Sequence, residues 1–436
     1  MTSPVDLNVL YAEFFERGVA YFLKQARIEI LGPAPVAKPL LDFFPRADGC
    51  IELDWCGNHY LLHHSGRPFT ENQIRLVAAI GIVLSARYRS LLRPGMASGS
   101  FDLFRGLPED RYISAFLDPT PYLDEHGVPR GRDPVEDAIE VLRVSSLTTY
   151  ENRRISTGVL LLDAEDRAGA LAYNTELASI KSFHRLCGGE RTVVLVNRAG
   201  LLVDLVDIRE WSREHASGEL PVPSAAAYRS HALATLKEGR VCLVLTGNGE
   251  IKIFARGSQK FNFMEGRWRL TDASEQYALF RRSMGDASLA ESLFTAALNL
   301  AEARRGALFV VLDDPASAAE IVSPPDMMNG AGAQTGPGKK ERIHYLLLGK
   351  RTLGMPPAVL ESIAGMDGAV VVDRASNLLA FGAIVKHNTS LLVAAGAIEG
   401  GRTNAAVAAS MFGCALKVSE DGLVSFFQKG LCVWEL

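Results

Sequence analysis

Residues 366–385 read MDGAVVVDRASNLLAFGAIV. Met366–Val372 sets an acid, Asp367, and a glycine, Gly368, ahead of an apolar run. Leu378–Val385 is a second apolar run with an internal glycine, Gly382. Short apolar runs bounded by turn residues are the pattern of strands buried on both faces. On its own the triplet Asp367–Ala369 reads as a common turn; its neighbours give it meaning.

Working outward, further apolar runs lie at Ala307–Leu312, His344–Leu348, Leu391–Ala394, Ala415–Val418, Leu423–Phe427 and Leu431–Trp434. A helical stretch, Thr403–Gly413, falls among them. A helix precedes them all: Asp286 or Ser288 caps it, Leu289, Leu293, Phe294, Ala297, Leu298 and Leu300 line one face, and Gly306 stops it. Helices alternating with buried strands define an α/β domain over residues 285–436, long enough to bury its own core.

The rest of the chain divides at loops. Leu92–Ser100 and His215–Ala226 are rich in small and turn-forming residues, and Ser323–Lys340 (SPPDMMNGAGAQTGPGKK) is a longer low-complexity loop. Residues 1–95 read as a small α+β domain, with helical periodicity over Leu7–Ala26 and short strands within Cys50–Leu62. Its last helix, Thr70–Leu92, opens with Thr70 as N-cap and Gln73 in the capping-box position. Residues 100–280 form an α/β region with strands at Gly158–Leu162, Thr192–Val196, Leu201–Val206 and Val241–Leu245. The last of these pairs with Glu250–Ala255 around TGNG as a hairpin.

The 436 residues carry 46 basic and 50 acidic side chains, a formal charge of −4. That balance supplies no general attraction to nucleic acid or to an anionic membrane. A membrane span needs about 18 consecutive apolar residues, and Leu76–Leu84 and Val370–Val385 are too short or interrupted. The N-terminus lacks the basic start and apolar core of a signal peptide. The six cysteines are sparse and mostly in apolar runs, which points to reduced thiols in a cytoplasmic protein.

Three weaker motifs read as structural. Cys50, Cys56, His59, His63 and His64 lack the paired spacing of a zinc site. Gly330–Lys340 fails the phosphate-loop pattern, with Ala333 where glycine is needed and Lys340 where serine or threonine should stand. The basic pairs Arg153–Arg154, Arg281–Arg282 and Arg304–Arg305 read as isolated, solvated surface.

The C-terminal motifs are informative in their order. The helix, then GALFVVL (306–312), DGA (367–369), AFGAIV (380–385), GGRTNAA (400–406) and VSEDGLVSF (418–426) together resemble the diadenylate cyclase (DAC) domain. The resemblance spans about a third of the chain and implies a mixed β-sheet flanked by helices. Residues 100–280, with TYENRRISTGVLL and GEIKIFARGSQKFNFMEGRWRL, resemble the sensor region ahead of some such domains, whose ligand is unassigned. PFTENQIRLVAAIGIVLSARY (68–88) resembles the closing helix of GAF-type sensor domains.

The DAC family condenses two ATP molecules into cyclic di-AMP, one site forming between two facing domains, so self-association is implied. A 3′-hydroxyl must attack an α-phosphate in line, which calls for Mg²⁺ or Mn²⁺ on the phosphate oxygens. The resemblance makes Asp367 a metal ligand and acceptor of the hydroxyl proton. Gly368 and Ala369 would let the backbone approach the nucleotide. Gly400 and Gly401 would offer amides at a helix start to the triphosphate, and Arg402 would pair with its oxygens. Ser419 and Glu420 match positions near metal and phosphates.

This chain departs from the family's usual GTRHRAA segment. Gly401 stands for the threonine, Thr403 for the histidine and Asn404 for the second arginine. Charge-assisted bonds are worth roughly 1.5–3 kcal/mol each, so the two losses weaken nucleotide binding by about two to four powers of ten unless Lys386, His387 or Lys417 compensates. Two alternatives follow: a catalytically degenerate nucleotide-binding module, or a structural α/β domain. The catalytic reading requires Asp367 and the Gly400–Gly401 turn at the same end of the fold.

Overall fold

The computed structural model describes residues 6–34, 42–45, 48–64, 68–92, 103–122, 132–164, 171–328, 344–386 and 400–436. Most of the 92–100 joint, the Gly330–Lys340 motif, His387 and the 391–394 run lie outside them. The fold is α/β with mixed sheets flanked by helices. Among the described residues no helix is long and apolar enough to cross a membrane.

The chain forms two compact units. The first comprises Met1–Glu219 with Ser230–Thr271, the second Leu220–Arg229 with Asp272–Leu436. The expected segments 1–95 and 100–280 thus fall mostly in one unit, whose apolar core runs from Tyr11 to Trp268. The expected boundary at 280–285 falls instead before residue 273. The Ala273–Met284 helix sends Phe280 and Met284 into the core of the second unit. Val222 joins that core as well, and the Ala226 amide donates to Asn299 Oδ1 at 2.7 Å.

In the first unit, Ala26–Pro33, Asn58–His64, Ile51–Trp55 and Asp42–Pro45 make an antiparallel four-stranded sheet in that order. The expected helix to Ala26 ends at Phe22, and Ala26 opens a strand. The capping box forms in full: Thr70 N donates to Gln73 Oε1 at 3.0 Å and Gln73 N to Thr70 Oγ1 at 3.2 Å. His59 and His63 bond Asp54 and Glu29 at 2.6 and 2.9 Å. A seven-stranded sheet follows, with Val241–Leu245 and Ile251–Ala255 paired as the expected hairpin.

The second unit is built on six strands in the order Leu378–Ala383, Ala369–Asp373, Ala307–Leu312, Gly413–Val418, Val424–Gln428 and Leu431–Glu435. Ala307–Leu312 runs parallel to Ala369–Asp373, and every other neighbouring pair is antiparallel. All six residues of Ala307–Leu312 are buried because both faces are covered, which explains the unbroken apolar run. Phe309, Val311, Val370, Val372 and Leu416 pack with the Ala287–Glu302 and Pro357–Ala364 helices. Leu308, Val310, Val371 and Ala415 pack with the Gly401–Ala409 helix on the other face.

Three expectations change here. Asp286 caps the first long helix, its Oδ1 accepting from Leu289 N at 2.9 Å, but the helix ends at Glu302 rather than at Gly306. The chain reverses through Arg304, at φ +53°. The expected strand His344–Leu348 holds instead a short 3-10 turn, Tyr345–Leu347, with Tyr345 78% and Leu346 65% exposed. The helix after Gly400 stops at Ala409, and a 3-10 turn, Ser410–Phe412, leads into the next strand.

Candidate active site

The strand register gathers the C-terminal motifs. In the parallel pair, Phe309 stands opposite Val370 and Leu312 opposite Asp373, so continuing the register brings Gly306 level with Asp367. In the antiparallel pair Ala307 faces Val418, which puts Ser419 and Glu420 beyond the same end of the sheet. Arg402 completes the set. Its guanidinium lies on Gly306, where a Cβ would come within 2.7 Å of Arg402 Cζ. Its Nη1 donates to Glu420 Oε1 at 3.0 Å.

Each sequence-chosen residue has a definite place in this arrangement. Asp367 is exposed, just ahead of its strand. Gly368 has φ +111°, and a Cβ there would stand 2.6 Å from the Ala383 nitrogen. Its lack of a side chain is therefore demanded by the neighbouring Gly382–Ala383 backbone. Ala369 is 1% exposed and belongs to the apolar core, so it offers no surface to a ligand.

Gly400 caps the Gly401–Ala409 helix without a side-chain bond. Its carbonyl accepts from the Thr403 and Asn404 amides at 2.9 and 3.3 Å. The amides of Gly401 and Arg402 precede the first intrahelical donor, Thr403 N. Together with the positive end of the helix dipole they suit an anion. Thr403 Oγ1 accepts from Lys417 Nζ at 3.1 Å, whereas Asn404 Oδ1 is buried with no hydrogen-bond partner among the described residues.

Ser419 is committed to its own turn. Its hydroxyl bonds the Leu423 amide at 3.1 Å and its carbonyl accepts from Gly422 N at 3.1 Å. Gly422, at φ +86°, closes that turn, and Glu420 projects from it. Asp367 and Glu420 both offer carboxylate oxygens, the ligand type that hard divalent cations take, at this end of the sheet.

The Arg304–Arg305 pair, expected to be isolated surface, belongs to this end of the sheet. Arg304 Nη1 donates to the Asp421 carbonyl in the turn that carries Glu420. The Arg305 guanidinium lies over Gly365, whose Cβ would come within 2.7 Å of Arg305 Cζ, two residues before Asp367. Their position immediately before Gly306 was the available sequence signal. Among the described residues the one grouping of three acidic or thiol ligands is elsewhere, Glu136, Asp137 and Glu140 in the first unit.

No protein-family model and no curated protein matches the chain. Among solved structures, a hypothetical membrane spanning protein from Bacillus cereus is 23% identical over 36% of this chain and 69% of its own, with a TM-score of 0.26. DacA from Staphylococcus aureus, as a double mutant, is 19% identical over 35% of this chain and 85% of its own, with a TM-score of 0.19. Likenesses of this size carry no weight for the chemistry, which rests on the residues and geometry above.

Proposed function

We propose that the second unit is a diadenylate cyclase-like nucleotidyltransferase that condenses two ATP molecules into cyclic di-AMP. Each 3′-oxygen attacks the α-phosphorus of the other nucleotide, two pyrophosphates leave and two protons are released. Asp367 accepts a hydroxyl proton and, with Glu420, would hold Mg²⁺ or Mn²⁺. When bound, the cation supplies charge to the phosphates and favours the alkoxide. Arg402 and the amides of Gly401 and Arg402 hold the triphosphate. Two such units facing each other complete one site, and the first unit acts as the regulatory part.

The observation that carries this reading is the Arg402–Glu420 pair lodged against Gly306, which is level with Asp367. Four motifs far apart in the chain thereby share one end of one sheet. The experiment is incubation of the full chain with ATP and Mg²⁺ or Mn²⁺. The expected result is cyclic di-AMP and pyrophosphate from wild type and neither from Asp367→Asn. Activity should rise faster than linearly with protein concentration below the dimerisation constant.

Thr403 and Asn404 favour a second reading, a nucleotide-binding module without catalysis. Tight ATP binding with no pyrophosphate released in either metal would select it. No binding of any nucleotide would leave an α/β domain of structural role.

A further inference from the structure

The altered GGRTNAA segment lacks one positive charge, and the sheet beneath it carries one. Lys417 lies on the Gly413–Val418 strand, opposite Leu308. Cys414, Leu416 and Val418 turn to one core and Ala415 to the other. Alternation therefore puts Lys417 on the face that bears the Gly401–Ala409 helix. Its Nζ stands 5.9 Å from the centre of the Phe427 ring and donates to Thr403 Oγ1 at 3.1 Å.

That is an unusual place for an ammonium. The opening turn of a helix is its positive end and favours anions over cations. No acidic residue occupies this turn, and Arg402 already brings a guanidinium to it. Glu420 neutralises Arg402, whereas Lys417 donates to a neutral hydroxyl. An ammonium held at a positive helix end is relieved when a polyanion binds there.

We propose that Lys417 is a triphosphate-binding residue. Its ammonium reaches the turn that carries Thr403 and Asn404 from the strand below and restores the charge that Asn404 lacks. This rests on the nucleotide-binding reading of the site and adds to it the residue that carries the phosphate affinity.

The test compares Lys417→Gln and Lys417→Arg with wild type in the full chain, using ATP and inorganic tripolyphosphate as probes. Glutamine keeps a hydrogen-bond donor for Thr403 and removes only the charge. The expected result is a Kd for both probes raised by about ten- to a hundredfold in Lys417→Gln. The two factors should agree, because the contact is to phosphate and not to base, and they should shrink as salt rises. Lys417→Arg should lie within about threefold of wild type. Equal affinities in Lys417→Gln and wild type, while wild type still binds ATP, would overturn the assignment and leave the site standing. A wild type that binds neither probe would overturn both. Thermal melting of Lys417→Gln checks the fold; should that variant not fold, Lys417→Met is measured with the same probes, a raised Kd supporting the assignment and an unchanged one overturning it.

Discussion

Arg402 and Glu420, 18 residues apart, meet at 3.0 Å over a glycine that leaves room for the guanidinium. The pair joins a helix start to a strand-end turn. In the proposed reaction these are the phosphate-binding and metal-binding halves of one site. Glu420 would hold the cation in place of Arg402, leaving the guanidinium for phosphate. Metal and triphosphate should therefore bind with positive coupling. Glu420→Gln should lower the apparent affinity for Mn²⁺ in the presence of ATP by at least about tenfold. Titration of metal at fixed ATP reads this directly, and an unshifted curve would remove Glu420 from the site.

Gly306 tests the same geometry from beneath. An alanine there would push Arg402 aside, but the displaced atoms are the far end of a flexible side chain. Gly306→Ala should raise the Kd for ATP by about tenfold, as loss of one charge-assisted bond would, with a change in stability under about 1 kcal/mol. A matched loss of stability would mean that the glycine serves the strand instead.

Gly368 differs in kind. Its φ of +111° is costly for any L side chain, and the atoms that a Cβ would meet belong to the backbone of Gly382 and Ala383. Gly368→Ala should cost about 2–5 kcal/mol of unfolding free energy, from backbone strain and overpacking together. Urea denaturation measures it, and a loss below 1 kcal/mol would contradict the close approach.

In the first unit, burial pushes the Glu136 carboxyl up to about 7 despite Arg111 Nη2 at 3.3 Å. The folded state therefore takes up a proton more readily than the unfolded chain. This contribution is full below the ordinary carboxylate value of 4.5 and is lost as pH rises through about 7. Glu136→Gln should remove about 2.5 kcal/mol of stability loss between pH 5 and 8. Parallel stability–pH curves for variant and wild type would refute the shift.

The capping box offers a local test. Thr70→Ala removes the acceptor of Gln73 N and should cost about 1 kcal/mol by chemical denaturation. An unchanged midpoint would mean that packing of the helix outweighs its cap.

Local signals were readable wherever local physics decided the outcome. Thr70 with Gln73, Asp286, and the Ala307–Leu312 run needed only neighbouring residues or a covered sheet. Other features depended on distant partners. Composition makes His344–Leu348 look like a strand, yet Tyr345 and Leu346 are exposed. Arg304 looked solvated because its acceptor, the Asp421 carbonyl, is 117 residues away. Gly368 was chosen for a ligand, while the space it leaves is occupied by the next strand. The boundary near residue 280 was misjudged because the Ala273–Met284 helix carries Phe280 and Met284 into the later core.

Leu220–Arg229 belongs to the second unit although the chain on either side of it belongs to the first. No single cleavage of the polypeptide can therefore separate the two halves cleanly. During synthesis, the ribosome delivers these ten residues long before Asn299, to which Ala226 is tied, has been translated. Recombination that exchanged the C-terminal portion alone would leave the insert behind, so the two units are expected to have been inherited together.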